Sequence, residues 1–320
     1  MPIVVNSNAS ATTASFNLSR ANDALRKSLG RLSSGNRINN PADDAGGLAV
    51  AYKLNSKANR TTAILQNSQN ALSYLQVQDS GLQNAGKIVD RMSELRVMSQ
   101  DITKNTQDIE NYSKEFVELQ SQLNQISKEK FNGISLFATS NVTAVGSLET
   151  STASFGSLSY NTASRTLITH DSGVSTSGSV KLNVVNFQFM LSIGNLSSGA
   201  ATGAAADLGN IDGANTGTGI SSAGFIADIT EVNVSQFTNI IERIADMRAE
   251  NGAEQNRVLN SIDLLQTNLS NIEAAHGRIM DTDIALESTR FARHNILVQA
   301  SAAMTAQANQ LTNVALQLLG

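Results

Sequence analysis

The stretch that decides the fold is HNILVQASAAMTAQANQLTNVALQLLG, residues 294–320. Apart from its histidine it carries no ionisable side chain, and no proline interrupts it. Leu297, Ala300, Met304, Leu311, Val314 and Leu318 fall on a seam of alternating three- and four-residue steps, the repeat of a helix that packs against another helix. Gln299, Gln307, Asn309, Gln310, Asn313 and Gln317 break up the apolar run, so the tail is not a membrane span. At the opposite end, Met1 to Ser19 is also uncharged, and Leu18, Ala21, Leu25, Ser28 and Leu32 mark a matching seam. Two uncharged seams at the two termini are expected to pair. Burial of one seam against the other falls short of the cost of ordering the backbone of both tails. The tails are therefore expected to be loose in a monomer and to order when other copies surround them, which points to a polymer.

Composition narrows the class. The 320 residues carry a net charge of −4, so neither nucleic acid nor an anionic membrane is expected as a partner, and the interrupted tail leaves no membrane insertion to expect. Aromatic residues make up 4% and tryptophan is absent, which argues for helical packing rather than one large compact core. The chain has no cysteine, which excludes disulfides and thiolate metal sites. The first residues show neither a basic n-region nor an apolar h-region, so export by another route than a cleavable signal peptide is expected.

In chain order, a first helix is expected from about Phe16 to Ser34, closed by Gly35 in a left-handed conformation. Asn39 or Asn40 is expected to cap the next helix, with Pro41 at its first position and Asp43 and Asp44 in its first turn. That helix is expected to run to about Thr103, with Leu72, Leu75, Leu82, Ala85, Val89 and Met92 on its seam and Ile88, Leu95 and Ile102 widening it. Gly81 and Gly86 are soft spots in it. Thr106 is expected to cap a helix with the stripe Ile109, Tyr112, Phe116, Leu119, Leu123 and Ile126, ended by the turn Phe131-Asn132-Gly133. From Ala138 to Asp228, Ser, Thr, Gly, Ala and Asn dominate. Only Val180, Leu182, Val184, then Phe187, Phe189, Leu191 and Ile193 alternate, as one bulged strand or two short ones. The flanks, Ser197–Ser222 above all, look like exposed loops. Ser235 is expected to cap a return helix bearing Phe237, Ile240, Ile241, Ile244 and Met247, then Val258, Ile262, Leu265, Leu269, Ile272, His276 and Ile279. Asp281-Thr282-Asp283 opens the final segment.

The fold class is thus mainly α: an elongated helical hairpin or coiled-coil bundle of N- and C-terminal regions, with a small β/loop region in the middle. The expected domains are 1–44 with 281–320 (terminal coiled coil), 45–138 with 233–280 (helical core) and 139–232 (exposed and variable). No chemistry-bearing constellation stands out. The histidines are His170, His276 and His294, with no HExxH pair, and Gly209–Gly219 matches no phosphate-binding loop. Asp43 and Asp44 suit a helix's first turn better than a catalytic pair. No catalytic residue, metal or cofactor is expected.

Five motifs in order resemble bacterial flagellin: LRKSLGRLSSGNRINNPADDAGGLA (Leu25–Ala49), FNG (Phe131–Gly133), GAEQNR (Gly252–Arg257), RIMDTDIALE (Arg278–Glu287) and QASAAMTAQANQ (Gln299–Gln310). The resemblance covers about residues 1–137 and 233–320. Two departures are Leu311-Thr312 where the family often has proline, and Asn40-Pro41 where small or basic residues are usual. The resemblance implies an extracellular filament subunit for swimming motility, with Leu18, Leu25, Leu32, Leu297, Met304, Leu311, Val314 and Leu318 in the assembly seam. It also implies export through the flagellum's own channel with a chaperone, and contact with the filament cap and the hook–filament junction protein. The junction protein itself is the nearest alternative; Ala45-Gly46-Gly47 after the Asp pair, instead of proline, favours flagellin. A secreted coiled-coil adhesin, its polar tip binding host surfaces, is the other; the many Ser and Thr of that tip could carry O-linked sugars, as in some flagellins. Finally, the family's innate-receptor patch corresponds to Arg91, Leu95 and Glu115, with Ser93 in place of a second arginine. The simpler alternative is that Arg91 pairs with Glu94 or Glu115 while Leu95 packs between helices.

Overall fold

The computed structural model describes residues 8–138, 148–155, 158–176, 178–191, 226 and 228–319. It is mainly helical, with a small sheet in the middle of the chain. The chain forms two compact units, Met1–Asn59 with Asn268–Gly320, and Arg60–Thr267. Helices α1 (Ala9–Ser34) and α6 (Ile284–Leu319) lie wholly in the first, and α3 (Thr106–Ser127) wholly in the second. The long helices α2 (Ala45–Ser99) and α5 (Val234–Met280) contribute to both.

Capping chemistry sets the helix ends. Helix α1 starts seven residues earlier than expected because Asn8 caps it, its side chain accepting from Ala11 N at 3.0 Å. Gly35 closes it at φ 73°, as expected, with its N–H donating to Arg31 O. Helix α2 does not begin at Pro41. Residues 41–43 form a turn, and Asp44 takes the cap: Gly47 N donates to its carboxylate at 2.8 Å and Leu48 N to its carbonyl at 3.0 Å. An ionised carboxylate facing free N–H groups outcompetes the asparagines upstream. Asn105, not Thr106, caps α3, in a reciprocal box with Asp108. At α5 the helix opens at Val234, one residue before Ser235, and Gln236 reaches back to accept from Asn233 N at 2.8 Å.

In the second unit the expected seams form one core. Leu75, Leu82, Ala85, Val89, Met92 and Leu95 of α2 meet Phe116 and Leu123 of α3 and Phe237, Ile240, Ile244, Met247, Val258 and Ile262 of α5. Phe116 and Phe237 sit edge to face at 6.2 Å. Ile102 and Ile241 do not join, and Leu265 is buried outside this cluster. Ile102 is 99% exposed because α2 has already ended at Ser99, and Ile241 points off the face that holds Ile240 and Ile244.

Asn132 (φ 49°) and Gly133 (φ 78°) turn β1 (Lys130–Phe131) into β2 (Ile134–Ser135), which is the positive-φ pair a two-residue hairpin needs. The middle of the chain holds more strand than its composition suggests. Strands β3 (Phe137–Ala138), β4 (Leu148–Phe155), β5 (Leu158–Ile168) and β6 (Ser179–Asn186) make a sheet in the order β3-β6-β5-β4. β4 pairs with β5, and β5 with β6, antiparallel, while β3 joins β6 in parallel. Strands β4 and β5 are rich in Ser, Thr and Ala, and give no apolar alternation by which to find them. The parity change after Val184 is neither a bulge nor a second strand. Phe187–Met190 turns into a short helix, α4, which keeps Phe187, Met190 and Leu191 buried. The side chain of Phe189 lies outside the described residues, as do Ile193 and Ser197–Ser222.

Gly81 is more than a soft spot. A Cβ there would lie 2.8 Å from the Phe137 ring, which packs at 5.0 Å against Phe187. Helix propensity alone predicts that Gly81→Ala stabilises by about 1 kcal/mol. Overpacking costs about 1–3 kcal/mol and reverses the sign. Denaturant unfolding should show a net loss for Gly81→Ala, recovered when Phe137→Leu is added. A more stable single variant would contradict this packing.

Candidate assembly surface

The paired terminal helices are where the sequence-predicted seam residues meet. On α1, Leu18, Ala21, Leu25, Ser28 and Leu32 are buried or half-buried, on the steps expected of them. On α6, the residues shielded from solvent are Glu287, Phe291, His294, Val298, Ser301, Thr305 and Ala308, again four and three apart. This is not the seam that begins at Leu297. Leu297 and Met304 are 43% and 65% exposed, and Ala300 is exposed as well. The side chains of Leu311, Val314 and Leu318 lie outside the described residues. Within the single chain α1 and α6 are helical and packed together.

The register has a polar cause. Glu287 is only 3% exposed, and Ser28 Oγ donates to its carboxylate at 2.7 Å. Arg290 Nη1 donates to the other oxygen at 3.3 Å, and Arg31 stands 3.9 Å away. Burial alone would raise this carboxyl's pKa. The hydroxyl, Arg290 and the Arg31 charge outweigh it and hold the pKa below the usual value. A buried carboxylate must find its partners, so Glu287 selects the face of α6 that turns to α1. His294, Ser301 and Ala308 follow it at steps of seven. At the far end the Asn8 amide donates to Ala308 O at 2.9 Å, so the residue that caps α1 also grips α6.

The connections are tied in the same way. Thr282 N donates to Gly35 O at 2.9 Å, Arg37 N donates to Met280 O, and Arg37 Nη2 donates to Ile279 O at 2.7 Å. Asn36 and Asp281 form a β-bridge. Lys27 pairs with Asp43 at 2.6 Å and lowers its pKa.

The pair leaves an apolar exterior. Ile284, Leu286, Ile296, Leu297 and Met304 of α6 are exposed, as are Phe16 and Leu29 of α1. Between the helices, Ala9, Ser10, Thr13, Ala14, Asn17, Ala300, Ser301 and Met304 line a groove of about 510 Å³. Small side chains on both walls leave room for another chain's larger ones.

Of the other candidate residues, His276 falls in the first unit, and Arg91, Leu95 and Glu115 fall in the second. Arg91 donates to Glu115 at 2.9 Å and to Glu94 at 3.0 Å, all three exposed, and both carboxylates raise its pKa. Leu95 is 0% exposed and packs in the helical core, so it supports this face of α2 without presenting a surface of its own. His276 is half-buried on α5. No described helix is long and apolar enough to cross a membrane.

Paired terminal helices with an apolar exterior, two further long helices and a sheet in mid-chain make this a helical assembly protein. Two family models match, the bacterial flagellin N-terminal helical region over residues 5–142 and the bacterial flagellin C-terminal helical region over residues 234–319. The chain is 30% identical over 319 residues to the flagellin of Bacillus subtilis (strain 168), covering 98% of this chain and 99% of that one. It is 29% identical over 320 residues to the flagellar filament 33 kDa core protein of Treponema phagedenis, covering 99% and 100%. The crystal structure of Bacillus cereus flagellin aligns with a TM-score of 0.40 at 21% identity, covering 66% of this chain and 94% of that one. The chain belongs to the bacterial flagellin family, and is a structural subunit of the flagellar filament. The junction-protein and adhesin alternatives are not favoured.

Proposed function

We propose that subunits join through the outward faces of the α1–α6 pair. The observation that carries this is the exposure of Leu297 and Met304 on a helix whose adjacent face is already taken by α1. Exposed apolar patches of this kind mark association surfaces. Leu311, Val314 and Leu318 continue the same stripe by sequence. Leu18, Leu25 and Leu32 act one step back, by holding α6 in place. In this scheme 1–44 with 281–320 forms the inner domain, 45–138 with 233–280 the core, and 139–232 the outer, variable region. The chain leaves the cell through the flagellum's secretion channel, with a chaperone. It then meets the junction protein at the filament base and the cap at its tip. Its role is structural and involves no catalysis.

Leu297→Asp should leave the monomer's helicity unchanged, because the position is exposed there, and should abolish filament growth on seeds. A carboxylate buried without a partner at every subunit contact costs several kcal/mol, on the order of a buried unpaired charge. Wild-type growth by this variant would remove the stripe from the interface.

For an innate immune receptor of flagellin, the accessible groups are Arg91 and Glu115. They already form an ion pair, but an exposed, solvent-screened one, so breaking it for a partner costs little. Arg91→Ala should lower receptor activation by soluble monomer about tenfold, which is about 1.4 kcal/mol of binding, with helicity intact. An inert wild type or a fully active variant would leave these residues with a structural role only.

A further inference from the structure

Strand β6 is longer than the strand beside it. β3 pairs only with Val185 and Asn186, so upstream of them one edge of β6 has no neighbouring strand among the described residues. Side chains from two core helices take its place at Asn183. The Asn183 N–H donates to both carboxylate oxygens of Glu254 on α5, at 3.0 and 3.1 Å. Its carbonyl accepts from Gln78 Nε2 on α2 at 3.2 Å, and its own amide donates to Glu250 of α5 at 2.5 Å. Behind this, Asn251 Nδ2 donates to Gln78 Oε1 at 2.7 Å and Gln255 to Asn251 at 2.6 Å, so the two helices are locked to each other as well as to the strand.

We propose that this grip on Asn183 is a proton-sensitive clasp, through which the pH of the medium sets how firmly the sheet is held to α2 and α5. Glu254 is the titrating member. Charged groups surround it unevenly. Glu250 and Arg257 flank it on its own helix, the Tyr74 hydroxyl faces it from α2 with Arg165 of β5 beside that hydroxyl, and Lys181 of β6 is exposed. Burial dominates and Glu250 adds repulsion. The Asn183 bond and Arg257 oppose them only in part, and the carboxyl is pushed up to about 7. Protonated, Glu254 still offers Asn183 its carbonyl oxygen and carries no charge to desolvate. Ionised, it bears a half-buried charge next to Glu250.

The sign follows from linkage. The clasped state binds the proton more tightly than the open state, whose carboxyl titrates near the ordinary 4.5. The clasp is strongest below that value, weakens as pH rises from it, and has lost its full increment above about 7. Arg257, which donates to Ser179 O at 3.3 Å, and Gln78, which donates to Asn183 O, keep the strand attached throughout.

Hydrogen exchange on the full-length monomer tests this, read in peptides spanning β6 at about pH 5 and pH 8 after correction for the intrinsic rate. Wild type should lose about tenfold or more in β6 protection between the two, while peptides of α3 do not change. Glu254→Gln keeps a carbonyl acceptor without the charge, and should hold the low-pH protection at both. Glu250→Gln removes the repelling neighbour and should shrink the wild-type loss. Equal wild-type protection at the two pH values would overturn the proposal, and so would an undiminished loss in Glu254→Gln. If Glu254→Gln does not fold, an undiminished loss in Glu250→Gln serves as the contrary result.

Discussion

The pairing of α1 with α6 depends on one buried carboxylate. Helix α6 is nearly uncharged from His294 onward and offers apolar side chains on more than one face, so hydrophobicity alone does not decide which side turns inward. Glu287 decides it. Buried among Ser28, Arg31 and Arg290, it is satisfied in one rotation of the helix, and a one-residue change of face would strand it. Apolar contacts supply the attraction, and the polar contact supplies the register. A single buried polar group that sets register at some cost in stability is a common device where two helices pack along their length.

The consequence reaches the filament. Because Glu287 brings His294, Ser301 and Ala308 to α1, the stripe through Leu297 and Met304 is left outside. The inward face of α6 beyond Val298 is made of small and polar side chains, Ser301, Thr305 and Ala308, which allow close approach. The bulkier apolar side chains remain available to other copies. In the proposed assembly one helix serves two partners on adjacent faces, and an uncharged tail is what such a double role requires.

The sequence reading succeeded where periodicity is carried by large apolar residues. Leu75, Leu82, Met92, Phe116, Phe237 and Val258 all entered the core expected of them, and Gly35 closed α1 in the left-handed conformation. On α6 the leucines at 297 and 311 outweighed the quieter repeat through Ser301 and Thr305, although Glu287 and Ser28, at corresponding ends of their helices, were a signal that could have found it. Caps shifted by a residue or more because several Asn, Asp, Ser and Thr compete near each helix start, and only the three-dimensional position of the free N–H groups settles which one wins. Strands β4 and β5 escaped notice because Ser, Thr and Ala carry little apolar contrast between the two faces of a sheet. The grip of Glu254 on Asn183 could not be read at all, since it joins residues far apart in the chain through a backbone N–H.

The central claim is that α6 has an inner face set by Glu287 and an outer face reserved for other subunits. The chain has no cysteine, so a single nitroxide can be placed at will, through Val298→Cys on the inner face or Met304→Cys on the outer. Electron paramagnetic resonance of each, as monomer and as filament, separates the two faces directly. The account predicts a label at 298 that is hindered in both states, and a label at 304 that is mobile in the monomer and immobilised in the filament. A label at 304 that stays mobile after polymerisation, or one at 298 that is free in the monomer and immobilised only in the filament, would contradict it.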